Sequence, residues 1–121
     1  MRYQDLNGHF RDKIRERVCS KLKESQPEKP VDAGIRDYVV GVIIIIADEN
    51  NIVRAAERLY EMKQANPDTA GTLDSAVEAV AAVYSRFPTE VSILRDLYQM
   101  QEQQADIMDI IAHMEIRLLE P

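Results

Sequence analysis

Apolar side chains recur every four residues in the first part of the chain, among charged neighbours. They fall at Leu6, Phe10, Ile14, Val18 and Leu22. Because positions four apart lie on one face of an α-helix, this spacing predicts an amphipathic helix over residues 1–26. Pro27 and Pro30 follow, and proline cannot continue a helix. The chain is therefore predicted to form an N-terminal helix, a linker over residues 27–31 and a helical core over residues 32–121, all within one domain.

The most apolar part of the chain, residues 38–46, is compatible with a helix or a strand. Its β-branched run favours a strand, whereas Asp32 can cap a helix. No other segment has a comparable β-branched run, and a lone strand leaves its backbone polar groups without partners. We therefore predict a helix, with the following residues on its inward side: Ile35, Tyr38, Val39, Val42 and Ile46.

Two further helices are predicted between residues 51 and 88. Asn50 or Asn51 can cap the first, and Asn66-Pro67 ends it. Thr72 can cap the second, and Pro88 ends it. The inward positions of the first are Ile52, Ala56, Leu59 and Met62, and those of the second are Leu73, Val77, Val80, Tyr84 and Phe87.

The last helix is predicted to be the longest. It begins after a cap at Thr89 and continues from Glu90 to about Leu119, thirty residues without Gly or Pro. At 1.5 Å per residue it would be ~45 Å long, whereas a compact chain of this size is roughly 35 Å across, so one end would project. A heptad seam follows the helix at Ile93, Leu97, Met100, Gln104, Ile107, Ile111, Met114 and Leu118.

Such a seam predicts a partner helix, which can belong to the same chain or to a second copy. Other apolar residues of this helix, including Met108 and Ala112, widen the apolar surface beyond one seam. We therefore expect burial on two sides and take the eight seam residues as the candidate interface of a homodimer. Gln104 either fixes the register of that interface or marks a solvent-exposed kink.

These patterns together predict an all-α, single-domain bundle of about five helices with a long C-terminal helix. Nine Gly and Pro residues among 121 are too few for the many turns of a β-sandwich or barrel.

Charge is distributed unevenly along the chain. Residues 1–30 carry 8 basic and 5 acidic side chains, while the whole chain has a net charge of −6. The first helix is therefore basic and the remainder acidic. The candidate partner-binding residues are Leu6, Phe10 and Ile14 on its apolar stripe and Lys13, Arg17 and Lys21 among its cations. These cations can bind a partner, the acidic remainder of the chain, or nucleic-acid phosphates.

The sequence offers no pattern for catalysis or for a cofactor. Cys19 is the only cysteine, no serine lies in a GxSxG turn, and the four glycines are too scattered for a phosphate-binding loop. Glu102, Asp106, Asp109 and His113 share one side of the last helix, but metal sites in bundles also need ligands from facing helices. We therefore predict no catalytic, cofactor-binding or metal-binding residues.

The chain is expected to be cytoplasmic and to have no membrane partner. No apolar signal segment is visible, and the longest uncharged run, residues 38–47, is about half of the ~20 residues that cross a bilayer.

The function expected from these features is that of a non-enzymatic protein–protein interaction module: an adaptor, chaperone or regulatory subunit that forms a homodimer and binds another protein. The alternative is a small DNA- or RNA-binding regulator that uses the basic first helix, although a pI near 4.9 makes nucleic acid the weaker partner.

Overall fold

The computed structural model describes residues 2–64 and 71–121, and within these ranges every regular element is an α-helix. The predicted all-α class is confirmed, and the described residues form six helices in one domain rather than about five. They are α1 (Tyr3–Ser25), α2 (Ala33–Glu49), α3 (Ile52–Gln64), α4 (Leu73–Arg86), α5 (Pro88–Glu102) and α6 (Ile107–Arg117).

The central element is α2, which includes the strand-like residues 38–46. Asp32 caps it as predicted, because its Oδ1 accepts hydrogen bonds from the backbone N–H of Gly34 at 2.7 Å and of Ile35 at 3.1 Å. A helix that is apolar on nearly every side has to be enclosed, and α2 packs against α1, α3, α4 and α5. Ile35 and Tyr38, predicted to point inward, are instead exposed.

The predicted starts of α3 and α4 are confirmed. Asn51 Oδ1 accepts from Arg54 N at 3.1 Å, and Thr72 forms a reciprocal capping box with Ser75, both bonds being 3.0 Å. The predicted stop at Asn66-Pro67 lies outside the described residues. Four positions that were predicted to face the core are exposed, namely Ile52, Met62, Leu73 and Val77.

The prediction of one long C-terminal helix is wrong. Helix α5 ends at Glu102 in a Schellman motif: Gln104 N–H donates to Gln101 O at 3.0 Å and Ala105 N–H to Met100 O at 2.9 Å. Gln104 has φ 56°, the left-handed conformation that usually belongs to glycine at this position. Asp106 then caps α6, because its Oδ2 accepts from Met108 N at 3.3 Å.

The start of α5 also differs from the prediction. Phe87 occupies the cap, and Pro88 is the first helical residue, where the absent N–H of proline costs nothing. Thr89, predicted as the cap, is inside the helix. Pro88 therefore both follows α4 and opens α5, so that the two helices are joined with almost no loop.

Candidate protein-interaction surface

The apolar stripe of α1 faces the interior of the domain. Leu6, Phe10 and Ile14, predicted to bind a partner, are at most 1% exposed, and Val18 is fully buried. Helix α1 packs against α2 and α5. In this arrangement its stripe contributes to the core of its own chain and is closed to any other protein.

Two of the three predicted basic residues of α1, Arg17 and Lys21, bind one buried carboxylate. Glu90, in the first turn of α5, has 0% exposure. Arg17 Nε lies 2.9 Å from its Oε2 and Lys21 Nζ 2.8 Å from its Oε1, so both carboxylate oxygens are paired. Lys13 is closer to the surface and lies 3.8 Å from Glu16. Part of the excess positive charge of α1 is therefore paired inside the protein with a carboxylate of α5.

Helix α1 also holds the C-terminal segment in place. Arg17 Nη1 donates to the backbone oxygens of Leu118 at 3.2 Å and Glu120 at 2.8 Å. At the other end of α1, Tyr3 Oη donates to Ala105 O at 2.7 Å. The hydrogen bonds therefore attach α1 to the residues that flank α6 on both sides.

The eight predicted seam residues are split by the break between α5 and α6, and two of them, Gln104 and Leu118, lie outside both helices. Ile93, Leu97 and Met114 are fully buried within the chain, and Gln104 lies exposed in the turn between α5 and α6. The remaining four are half-buried: Met100, Ile107, Ile111 and Leu118. Because the seam folds back on itself at the turn, much of it packs inside the domain.

A polar cluster joins α5 to α6 on the outside of this fold-back. His113 Nε2 lies 3.0 Å from Asp96 Oδ2, Arg117 binds the same carboxylate, and Arg117 Nη2 donates to Ser92 Oγ at 2.9 Å. His113 is therefore bound to Asp96 of α5. Within residues 2–64 and 71–121, no three His, Cys, Asp or Glu side chains are grouped as they would be around a metal ion.

The outer face of α6 carries an exposed apolar stripe. Met108, Ile116 and Leu119 are 69%, 67% and 84% exposed, and Ala112 between them is also exposed. Successive helical residues are ~100° apart, so Met108, Ala112 and Ile116 lie within a sector of about 80° on α6, and Leu119 follows in the turn after the helix ends at Arg117. That sector is centred opposite the buried Ile110 and Met114. We call these four residues the α6 stripe.

A second apolar surface is a groove between α2 and α3, with a volume of about 390 Å³. Gly41 lies along it, and a Cβ added there would meet no other atom within 4 Å. Arg58 lies at its edge, where hydrogen bonds to Asp48 and then to Glu49 raise the pKa of its guanidinium. The groove is lined mainly by Tyr38, Gly41, Val42, Ile45, Leu59 and Met62.

Sequence reasoning missed the importance of Glu90 and Ile116. Nothing in the local pattern distinguishes Glu90 from other acidic residues at the start of a helix, since its burial depends on α1. The α6 stripe does have a sequence signal, because residues 108, 112, 116 and 119 repeat at steps of 4, 4 and 3. In the sequence this spacing overlaps with the longer heptad pattern of residues 93–118. Only the break at Gln104 shows that residues 108–119 form a separate surface.

Comparisons of the chain with protein-family models, curated proteins and solved structures give no match. In the part of the chain that the structure describes, no helix combines the length and apolarity that crossing a bilayer requires.

Proposed function

We propose that this chain is a non-enzymatic protein–protein interaction module that binds its partner through the α6 stripe. The observation that supports this most directly is the exposure of Met108 and Ile116 on a helix whose buried face, Ile110 and Met114, lies opposite, with Leu119 exposed just beyond the end of that helix. The role that follows is that of an adaptor, chaperone or regulatory subunit.

Contiguous exposed apolar residues mark interaction sites more often than isolated ones do. Burying a side chain of this size contributes roughly 1.5–3 kcal/mol, so three such residues supply a useful share of the free energy of binding. Helix α6 is held by the polar cluster of Asp96, His113 and Arg117 and by its own buried face. Because the stripe stands on a fixed helix, binding requires little ordering of the backbone.

The occupant of the stripe is a second copy of the chain or a different protein. The sequence-based expectation of a homodimer stays a prediction, and light scattering against the chain mass of 13.8 kDa measures it. Either occupant is a protein, so both agree with an interaction module.

Binding of nucleic acid by α1 has weaker support. Arg17 and Lys21 bind Glu90, Arg11 donates to Tyr98 Oη at 3.1 Å, and Arg15 lies 3.6 Å from Asp37. To bind a phosphate, these cations would first have to give up the partners that they already have within the chain. The favourable free energy from counterion release would be reduced by that cost.

Site-specific photo-crosslinking tests the proposal. A photoreactive amino acid is placed at Ile116 and, in a matched control, at Val53, which is 61% exposed on α3. After irradiation in cells of the source organism, we expect discrete protein adducts from position 116 that position 53 does not give. Equal adduct patterns at the two positions, or none at 116, would contradict the proposal.

A further inference from the structure

The two edges of the α6 stripe carry the same sign of charge. With ~100° between successive residues, Glu115 lies just outside Met108 on one edge and Asp109 just outside Ile116 on the other. Both carboxylates are exposed. Neither has an ion-pair partner within the described ranges of the chain. The stripe is therefore an apolar surface between two free carboxylates.

The basic side chains of α6 do not offset these charges. His113 and Arg117 are both bound to Asp96 on α5, and Arg117 Nε also lies 3.0 Å from Glu120 Oε1. The guanidinium of Arg117 is thus already paired with carboxylates away from Asp109 and Glu115. A molecule that approaches the stripe meets a net negative potential.

This pattern disfavours a second copy as the occupant. A two-fold axis between antiparallel copies of α6 places the Asp109 edge against itself and the Glu115 edge against itself. A two-fold axis between parallel copies places the Asp109 edge against the Glu115 edge. Like charges face each other in both arrangements, and like-charge pairs across an interface oppose association.

We propose that the α6 stripe binds an amphipathic helix of a partner protein, with lysine or arginine residues on both sides of its apolar face. This rests on the proposed function and adds the chemistry of the partner. The apolar face of that helix covers Met108, Ile116 and Leu119, and the small Ala112 lets the two backbones approach closely. The flanking cations meet Asp109 and Glu115, which sets the register and excludes acidic helices.

Two synthetic helical peptides test the inference. They share one leucine stripe at steps of four and three, and they differ only in having lysine or glutamate at the flanking positions. Fluorescence anisotropy gives the Kd of each for the full chain at low and at physiological salt. We expect the lysine peptide to bind at least about tenfold more tightly, and its affinity to fall with added salt, because exposed ion pairs are screened.

Matched variants separate specific binding from general attraction to an acidic protein. Asp109→Asn with Glu115→Gln removes both edge charges and should weaken binding of the lysine peptide about three- to tenfold, the loss expected for two exposed ion pairs. Glu57→Gln with Glu61→Gln changes the net charge equally on α3 and should weaken it less than twofold. Circular dichroism of each variant verifies that the helices are intact.

Three results would overturn the inference: equal binding of the two peptides, equal losses for the two double variants, or a dimer that Ile116→Asp dissociates. If Ile116→Asp abolishes binding of both peptides equally, or abolishes a dimer, the interaction module stands and only its partner chemistry is wrong. If Ile116 gives no crosslink and neither peptide binds, both proposals fail.

Discussion

Replacement of Gln104 by glycine is expected to stabilise the protein, although glycine within a helix has the opposite effect. Gln104 adopts φ 56° in the turn that ends α5. A side chain with a Cβ in the left-handed region costs roughly 1–2 kcal/mol, and glycine removes that cost. Against this, glycine gives the unfolded chain more conformational freedom, worth about 0.5–1 kcal/mol. The net effect is a gain of about 0.5–1 kcal/mol in the free energy of unfolding.

The sign of this change in stability distinguishes a chain that breaks at Gln104 from one continuous helix over residues 90–119. If residues 90–119 formed one continuous helix, as the sequence pattern predicts, the same substitution would cost about 0.5–1 kcal/mol. Gln104→Val extends the test, because a β-branched residue is strained at positive φ but only slightly unfavourable in a helix. We expect this variant to lose at least about 1 kcal/mol.

Urea unfolding followed by circular dichroism measures both variants. The matched control is Gln99→Gly, an exposed position within α5 that should lose about 1 kcal/mol. Stabilisation by Gln104→Gly with destabilisation by Gln99→Gly supports the break. Destabilisation by glycine at both positions, with little effect of Gln104→Val, would refute the left-handed turn and restore the long helix.

Three other perturbations test the packing. Glu90→Ala should lower the free energy of unfolding, measured in urea, by about 3 kcal/mol, because it leaves Arg17 and Lys21 without their buried partner. A loss as small as that for the exposed Glu115→Ala would contradict a stabilising role of Glu90. Gly41→Ala should raise the free energy of unfolding by about 0.5–1 kcal/mol, since its Cβ meets open space within α2, and a decrease would show that the helix is packed more tightly there. Burial raises the pKa of the Tyr98 phenol against the opposing effect of Arg11, so the contribution of Tyr98 to stability is full below the ordinary phenol value of 10.0 and is lost as pH rises through the folded-state pKa. The alkaline loss of stability should therefore be smaller in Tyr98→Phe, and identical pH profiles of the two proteins would contradict this.

The helical class and most helix starts are encoded locally. The four-residue spacing of Leu6, Phe10 and Ile14 marks a helix face, and Asp32 and Thr72 satisfy free backbone N–H groups wherever the rest of the chain lies. The helix over residues 38–46 follows from the sequence for a different reason, despite the β-branched composition of that segment. No partner strand exists in the sequence, and this argument needs no knowledge of the tertiary structure.

The C-terminal turn was harder to predict because its signals are weak in sequence. Gln104 is neither glycine nor asparagine, so the Schellman motif has no compositional mark. Asp106 is a good capping residue, but it follows a heptad pattern that also fits an uninterrupted helix. The fold-back buries Ile110 and Met114 completely, worth roughly 1.5–3 kcal/mol each, against roughly 1–2 kcal/mol for the left-handed residue. Packing therefore decides the break.

The sequence by itself determined most of the helical segments and which of their faces are apolar, because both depend on spacing along one chain, but it did not determine the break between α5 and α6. Only the tertiary structure decided which apolar faces are covered. The stripe of α1 and three of the eight seam residues became core, and Arg17 and Lys21 pair with Glu90, because helices distant in sequence pack against one another and around α2. The α6 stripe stayed exposed because α6 buries its other face, and an amphipathic helix at the surface buries only one face against its own domain.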